Sequence, residues 1–262
     1  MSDAYCTTTE LRLNSPRMKS LRFASMVAVL GAAGAFAQTP EPAKAPEAPK
    51  VLPPWELEWA YLSKYHDANN QLGLPARGEK RIVFLGDSIT EGWGASDAKF
   101  FAGRPYVNRG IGGQTTSQML VRFRQDVVNL RPSVVVILGG TNDIAQNGGI
   151  TTLEAIEQNL QSMAELARVN KIRVVLSSVL PAFDYPWRPG LQPAVKIFEL
   201  NRWIAAYCAK NDLVYLDYYA AVVDGRRGMR AEYSFDGVHP NSAGYAVMEP
   251  LAEKAIRRAL RW

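Results

Sequence analysis

The chain has 262 residues, of which 47% are hydrophobic, 21% charged and 10% aromatic, and 30 Lys and Arg against 25 Asp and Glu give a net charge of +5. That length suits one domain with a full core, and 20 Gly, 16 Pro and 2 Cys exclude collagen-like, wholly disordered and disulfide-scaffold chains. The basic residues are scattered, with no stripe of the kind that binds nucleic acid, so the charge assigns no nucleic-acid partner.

Met18 to Ala37 reads as a secretory signal peptide. Lys19 and Arg22 form a basic start, Phe23 to Phe36 an apolar run, and Ala35-Phe36-Ala37 a small-x-small cleavage site. The apolar run is too short for a stable membrane anchor, which needs about 20 residues. Met1 to Arg17 has no signal character, so translation is expected to start at Met18 and residues 1–37 to be removed as leader and signal peptide. The expected location is periplasmic or secreted. Cleavage after Ala37 takes away four basic and two acidic residues, lowering the charge to +3, and leaves Cys208 as a single thiol. With one cysteine there is no internal disulfide, and none follows the apolar run to carry a lipid. Residues 38–54, with Pro40, Pro42, Pro46, Pro49, Pro53 and Pro54, form a flexible tail. The domain proper is expected over 55–262.

Trp55, Trp59, Leu62 and Tyr65 fall near helical spacing and predict a short helix ahead of the first strand. Apolar runs at Ile82–Leu85, Val134–Leu138, Ile172–Leu176 and Leu213–Leu216 then predict strands, with a weaker one at Tyr106-Val107. Between them lie helical periods: Leu120 to Leu130, Leu153 to Leu166, Ile197 to Cys208 and Met248 to Ala259. Buried strands alternating with amphipathic helices mean an α/β fold, a single three-layer α/β/α sandwich around a parallel sheet. Such sheets bind ligands beyond the carboxyl ends of their strands. The loops of interest are therefore Gly86-Asp87-Ser88, Asn108 to Gly113, Gly139 to Asp143, and the late Asp236-Gly237-Val238-His239.

Of the two histidines, His66 precedes every strand, whereas His239 sits in a polar loop before the last helix. His239 is the better general base, and Asp236 can accept its Nδ1–H and leave Nε2 to take a proton. An Asp that merely caps the next turn is an equal alternative. Ser88, at a strand end where a helix or turn begins, suits a nucleophile, although taken alone a helix N-cap is the commoner role for such a serine. The Gly113 N–H, the Asn142 amide and the Ser88 N–H can stabilise an oxyanion. Taken singly, Gly113 and Asn142 are ordinary turn residues; their coincidence at successive strand ends favours catalysis.

Phe84-Leu85-Gly86-Asp87-Ser88-Ile89-Thr90, the block Asn108 to Thr116, Gly139-Gly140-Thr141-Asn142-Asp143 and Asp236-Gly237-Val238-His239-Pro240 resemble, in order and spacing, the conserved blocks of the SGNH (GDSL) hydrolase family. The branch most resembled holds the catalytic subunits of platelet-activating factor acetylhydrolase Ib and many bacterial esterases. The resemblance implies a flavodoxin-like sheet and a serine esterase. It implies Ser88 as nucleophile, His239 as base, Asp236 as its orienting partner, and Ser88, Gly113 and Asn142 as the oxyanion hole. A glycan acyltransferase, or a lysophospholipase or thioesterase with the same triad, is the alternative. The G-x-S-x-G elbow of α/β-hydrolases is absent. Two distant histidines and one mature cysteine assemble no conventional zinc site, and no metal or cofactor is expected. The expected substrate is a small-molecule or glycan ester with a short acyl group, and the sequence assigns no oligomeric state. Trp93, and Tyr185, Trp187 and Arg188 of the loop after the apolar run Ile172–Leu176, are the candidate substrate contacts; the alternative for this loop is packing onto the sheet.

Overall fold

The computed structural model describes residues 58–96 and 98–261. The leader, signal peptide and tail expected over 1–54, and Trp55, lie outside the described residues. Helix α1 (His66–Leu72) leads into strand β1 (Ile82–Gly86), and α2 (Ser88–Ser96) with the short α3 (Ala98–Phe101) connects β1 to β2 (Tyr106–Gly110). Helix α4 (Thr116–Asp126) and a 3-10 turn, Val128–Leu130, precede β3 (Val134–Leu138). The one-turn α5 (Thr141–Ile144) and α6 (Leu153–Val169) lead to β4 (Arg173–Ser177), and α7 (Ala194–Lys210) to β5 (Val214–Leu216). The short α8 (Tyr219–Val222) and the long α9 (Ser242–Leu260) follow.

The strands pair in parallel in the order β2-β1-β3-β4-β5, the flavodoxin-like order. Strand side chains alternate between the two faces. Val83, Leu85, Val135 and Ile137 pack with Met119 and Phe123 of α4, Leu160 of α6 and Ile204 of α7. Ile82, Phe84, Val134 and Val136 pack on the opposite face with Trp93 of α2 and with Met248 and Ile256 of α9. Covering both faces is why the strands read as unbroken apolar runs. The expected three-layer sandwich is the observed fold. The winding reverses at β1, so the carboxyl ends of β1 and β3 flank a crevice, and the loops singled out above open onto that end of the sheet.

Two elements depart from the sequence reading. The helix ahead of β1 begins only at His66; residues 58–65 form successive turns, with Tyr61 N–H donating to the Glu58 carbonyl and Lys64 N–H to that of Tyr61. Trp59 and Leu62 are 58% and 38% exposed, so the aromatic spacing does not mark a buried helical face. β2 runs a full five residues although Asn108 and Arg109 are polar. It is an edge strand whose polar side chains bind its neighbours: Asn108 Nδ2 donates to Thr90 O (2.6 Å) and Arg109 Nε to Asn69 Oδ1 (2.8 Å). α2 crosses β2 so closely that a Cβ on Gly110 would lie 2.1 Å from the backbone nitrogen of Glu91. Among the described residues, no helix is long and apolar enough to cross a membrane.

Candidate active site

Ser88 is the first residue of α2 and half-buried. The helix start is capped by its neighbour: Asp87 Oδ1 accepts from Ile89 N–H at 3.0 Å. The Ser88 hydroxyl is thereby left for another task, and its Oγ lies 2.9 Å from His239 Nε2. On the other side of the ring, His239 Nδ1 is 2.6 Å from Asp236 Oδ2. An ionised carboxylate only accepts, so Nδ1 carries the proton and Nε2 accepts from Ser88.

The loop before α9 is built to hold this line. Asp236 Oδ1 accepts from the backbone N–H groups of Val238 (2.9 Å) and His239 (2.7 Å), while Ser234 Oγ donates to His239 O (2.7 Å) and accepts from Gly237 N–H (2.9 Å). Partial burial pushes the Asp236 carboxyl up, but the His239 backbone and imidazole N–H groups and the Val238 N–H together outweigh it. The carboxyl stays below the ordinary Asp range, ionised beside the imidazole. Asp236 thus bonds both the turn and the imidazole.

The β2–α4 loop brings Gly112 and Gly113 alongside. A Cβ on Gly112 would sit 3.8 Å from that of Ser88, and Gly113 is held at φ +75°, a conformation that favours glycine. Asn142, buried at the start of α5, donates through Nδ2 to Gln114 O (3.0 Å), and its Oδ1 accepts from Asn147 Nδ2 (2.7 Å). Those two bonds fix the amide with its nitrogen toward the glycine loop.

Several side chains that sequence reasoning missed hold these loops. Glu91, one turn after Ser88 on α2, accepts from Gly112 N–H through Oε2 (2.7 Å) and from Lys64 Nζ through Oε1 (2.8 Å). Arg122 of α4 is fully buried and donates to Gly86 O (2.8 Å), Arg109 O (2.9 Å), Gln114 Oε1 and Asp126 Oδ2 (3.0 Å). It thus joins the ends of β1 and β2 to the glycine loop. Burial lowers the basicity of its guanidinium, and Asp126 opposes this only in part. A charged i,i+4 pair beside core-facing Met119 and Phe123 was the available signal. Asp87 is fully buried with Oδ2 unpartnered, and burial pushes its carboxyl up to about 6 against the smaller opposing pull of the Ile89 N–H.

The expected substrate contacts divide. Trp93 is buried, stacked on Phe100 (4.6 Å) and Tyr245 (5.4 Å). It lies four residues after Ile89 on the inward face of α2, so it is a core residue and meets no ligand. Tyr185 is likewise buried, its hydroxyl 2.9 Å from Thr141 Oγ1 and donating to Thr141 O (3.1 Å), which removes it as a stacking platform. Trp187 is 42% exposed with its ring 5.8 Å from that of His239, and its Nε1 donates to Asn147 Oδ1 at 3.1 Å. Arg188 is exposed and ties the loop down through Nη1 to Gln146 O (3.2 Å). Phe235, which the sequence did not single out, is 73% exposed and parallel to the His239 ring at 6.2 Å.

The chain matches the GDSL-like Lipase/Acylhydrolase family over residues 84–247. It is 30% identical to Esterase TesA of Pseudomonas aeruginosa over 168 residues, 62% of this chain and 77% of that protein. It is 28% identical over 129 residues to the uncharacterized lipoprotein YqeF of Bacillus subtilis; the match takes in 43% of this chain and 53%, about half, of YqeF. The crystal structure of a GDSL-like lipase from Bacteroides thetaiotaomicron matches with a TM-score of 0.75 at 46% identity, covering 78% of this chain and 100% of that one.

Proposed function

The chain belongs to the GDSL-like lipase/acylhydrolase family and is a carboxylic ester hydrolase; from that premise we propose that it is an exported serine esterase acting on short-chain, acetyl-type esters of carbohydrates or small molecules. The observation that carries the mechanism is the unbroken line from Ser88 Oγ through His239 to Asp236. His239 Nε2 takes the Ser88 proton as Oγ bonds to the ester carbonyl carbon. The negative charge moves to the carbonyl oxygen, where the N–H groups of Ser88 and Gly113 and the Asn142 amide receive it. The C–O bond to the alcohol then breaks, and His239 returns the proton to the departing oxygen. Water repeats the sequence on the acyl-enzyme: His239 takes its proton, its oxygen bonds to the acyl carbon, and Ser88 leaves with the proton as the acid is released. Asp236 keeps Nδ1 protonated and stabilises the imidazolium throughout.

The two exposed rings beside His239, Trp187 and Phe235, support a substrate with an apolar or sugar face on the alcohol side. The signal-like segment 18–37 and the similarity to a lipoprotein support action outside the cytoplasm. Purified Ser88→Ala and His239→Ala variants are expected to melt like the wild type and to lose p-nitrophenyl acetate hydrolysis by roughly 10⁴-fold or more. Activity near the wild-type level in either variant refutes the assignment.

A further inference from the structure

The turns from Trp59 to Tyr65 have no helix or strand to hold them, yet they are fastened down along their length. Gln118 Nε2 donates to Trp59 O, Gln114 Nε2 to Ala60 O (2.8 Å) and Gln125 Nε2 to Leu62 O (2.7 Å), and the Tyr65 hydroxyl donates to Gly110 O. The segment is a strap across the β2–α4 edge. Within it Tyr61 is held at φ +50°, a left-handed conformation that a bulky residue keeps only when its surroundings over-determine it.

Between the strap and the glycine loop lies a cleft of about 290 Å³, lined among others by Trp59, Tyr61, Lys64, Glu91, Gly113 and Gln118. It is at the small end of the roughly 300–1,000 Å³ usual for ligand sites and far too large for an acetyl group. Gly112 and Gly113 form part of its wall, and a Cβ on Gly112 would lie 3.8 Å from that of Ser88, so the cleft borders the Ser88 site across the glycine loop. Its chemistry is mixed. Trp59 offers an exposed apolar ring, while Lys64 Nζ, 5.5 Å from the centre of the Tyr61 ring, and Glu91 offer paired charges 2.8 Å apart. An alkyl chain would strip water from that pair and return no hydrogen bonds. A charged ligand would meet one attractive and one repulsive partner. A neutral sugar ring satisfies both halves, with its C–H face on Trp59 and its hydroxyls toward Lys64 and Glu91.

We propose that this strap cleft is a sugar subsite, binding a neutral pyranose ring of an acetylated glycan whose ester lies at Ser88. The proposal deepens the esterase reading and rests on it. The test compares acetylated xylo-oligosaccharides of two to four rings with p-nitrophenyl acetate, which has no sugar to place. Trp59→Ala and Tyr61→Ala are expected to lower kcat/KM for the oligosaccharides roughly 3- to 10-fold, mostly through KM, and to leave p-nitrophenyl acetate within about twofold. Trp59→Phe, which keeps an aromatic face, should retain most of the oligosaccharide activity. An unchanged oligosaccharide rate overturns the subsite, as does an equal loss on both esters, which would make the strap only structural. Wild-type protein that cleaves p-nitrophenyl acetate but releases no acetate from the oligosaccharides overturns the subsite alone. Wild-type protein inert toward both overturns the esterase reading and the subsite with it.

Discussion

At the scale of single residues, the geometry of the proposed oxyanion loop depends on a carboxylate outside the proposed triad. Glu91 binds the Gly112 N–H, one peptide before Gly113, from the same helix that starts with Ser88. Its truncation frees that peptide to turn away. Glu91→Ala should lower kcat on p-nitrophenyl acetate roughly tenfold or more with little change in KM, and Glu91→Gln, which still offers an acceptor, should recover part of it. Asp87 carries a different consequence. Its carboxyl is pushed up to about 6 by burial, whereas in the unfolded chain it titrates near 3.9. Between those values the folded protein keeps a proton that the unfolded chain has released. Stability therefore falls as pH rises through this window and stays lower above it. Asp87→Asn removes that titration and should stabilise the protein on the order of 2 kcal/mol at pH 7 and hardly at all at pH 4. Thermal melts showing the same difference at both pH values would contradict this. Ser88, Asp236 and His239 were legible in the sequence because each lies in a short motif at a predicted loop. Glu91 was not, because its role exists only once α2 lies across the end of β2. Trp93 stands among the expected substrate contacts, although its spacing from Ile89 already places it on the inward face.

Among the elements, the crossing of α2 over β2 is a tight backbone-to-backbone joint near the site. Gly110→Ala would drive a methyl into the Glu91 backbone, with 2.1 Å available. It should cost about 3 kcal/mol or more, since neither backbone can yield without moving Ser88 or the glycine loop. A variant that melts with the wild type would show that α2 and β2 are less closely fitted than described. The longer helices and the four apolar strands were readable because both faces of the sheet are covered and each element is long enough to show its period. β2 was faint because an edge strand buries less, and its Asn108 and Arg109 are spent on neighbours. The strap was read as a helix because aromatic spacing alone does not distinguish an inward face from an exposed one. What fastens it lies 45 to 63 residues away on and around α4.

For the whole molecule, the parallel sheet with its reversal at β1 places every proposed reacting group at one end of the sandwich, and that much follows from the order of strands and helices. The proposed export has its own test. Intact mass of protein recovered from outside the cytoplasm is expected to begin at Gln38, and a mass that retains Met18 to Ala37 would defeat that expectation. The strap has one consequence for how such an enzyme can change. Glutamine side chains grip its main-chain carbonyls at Trp59, Ala60 and Leu62, and a carbonyl is the same whatever residue bears it. The exposed ring at 59 can therefore drift to other side chains while the ribbon stays fastened, so the preference of the enzyme can evolve at the rim without renegotiating the proposed catalytic centre.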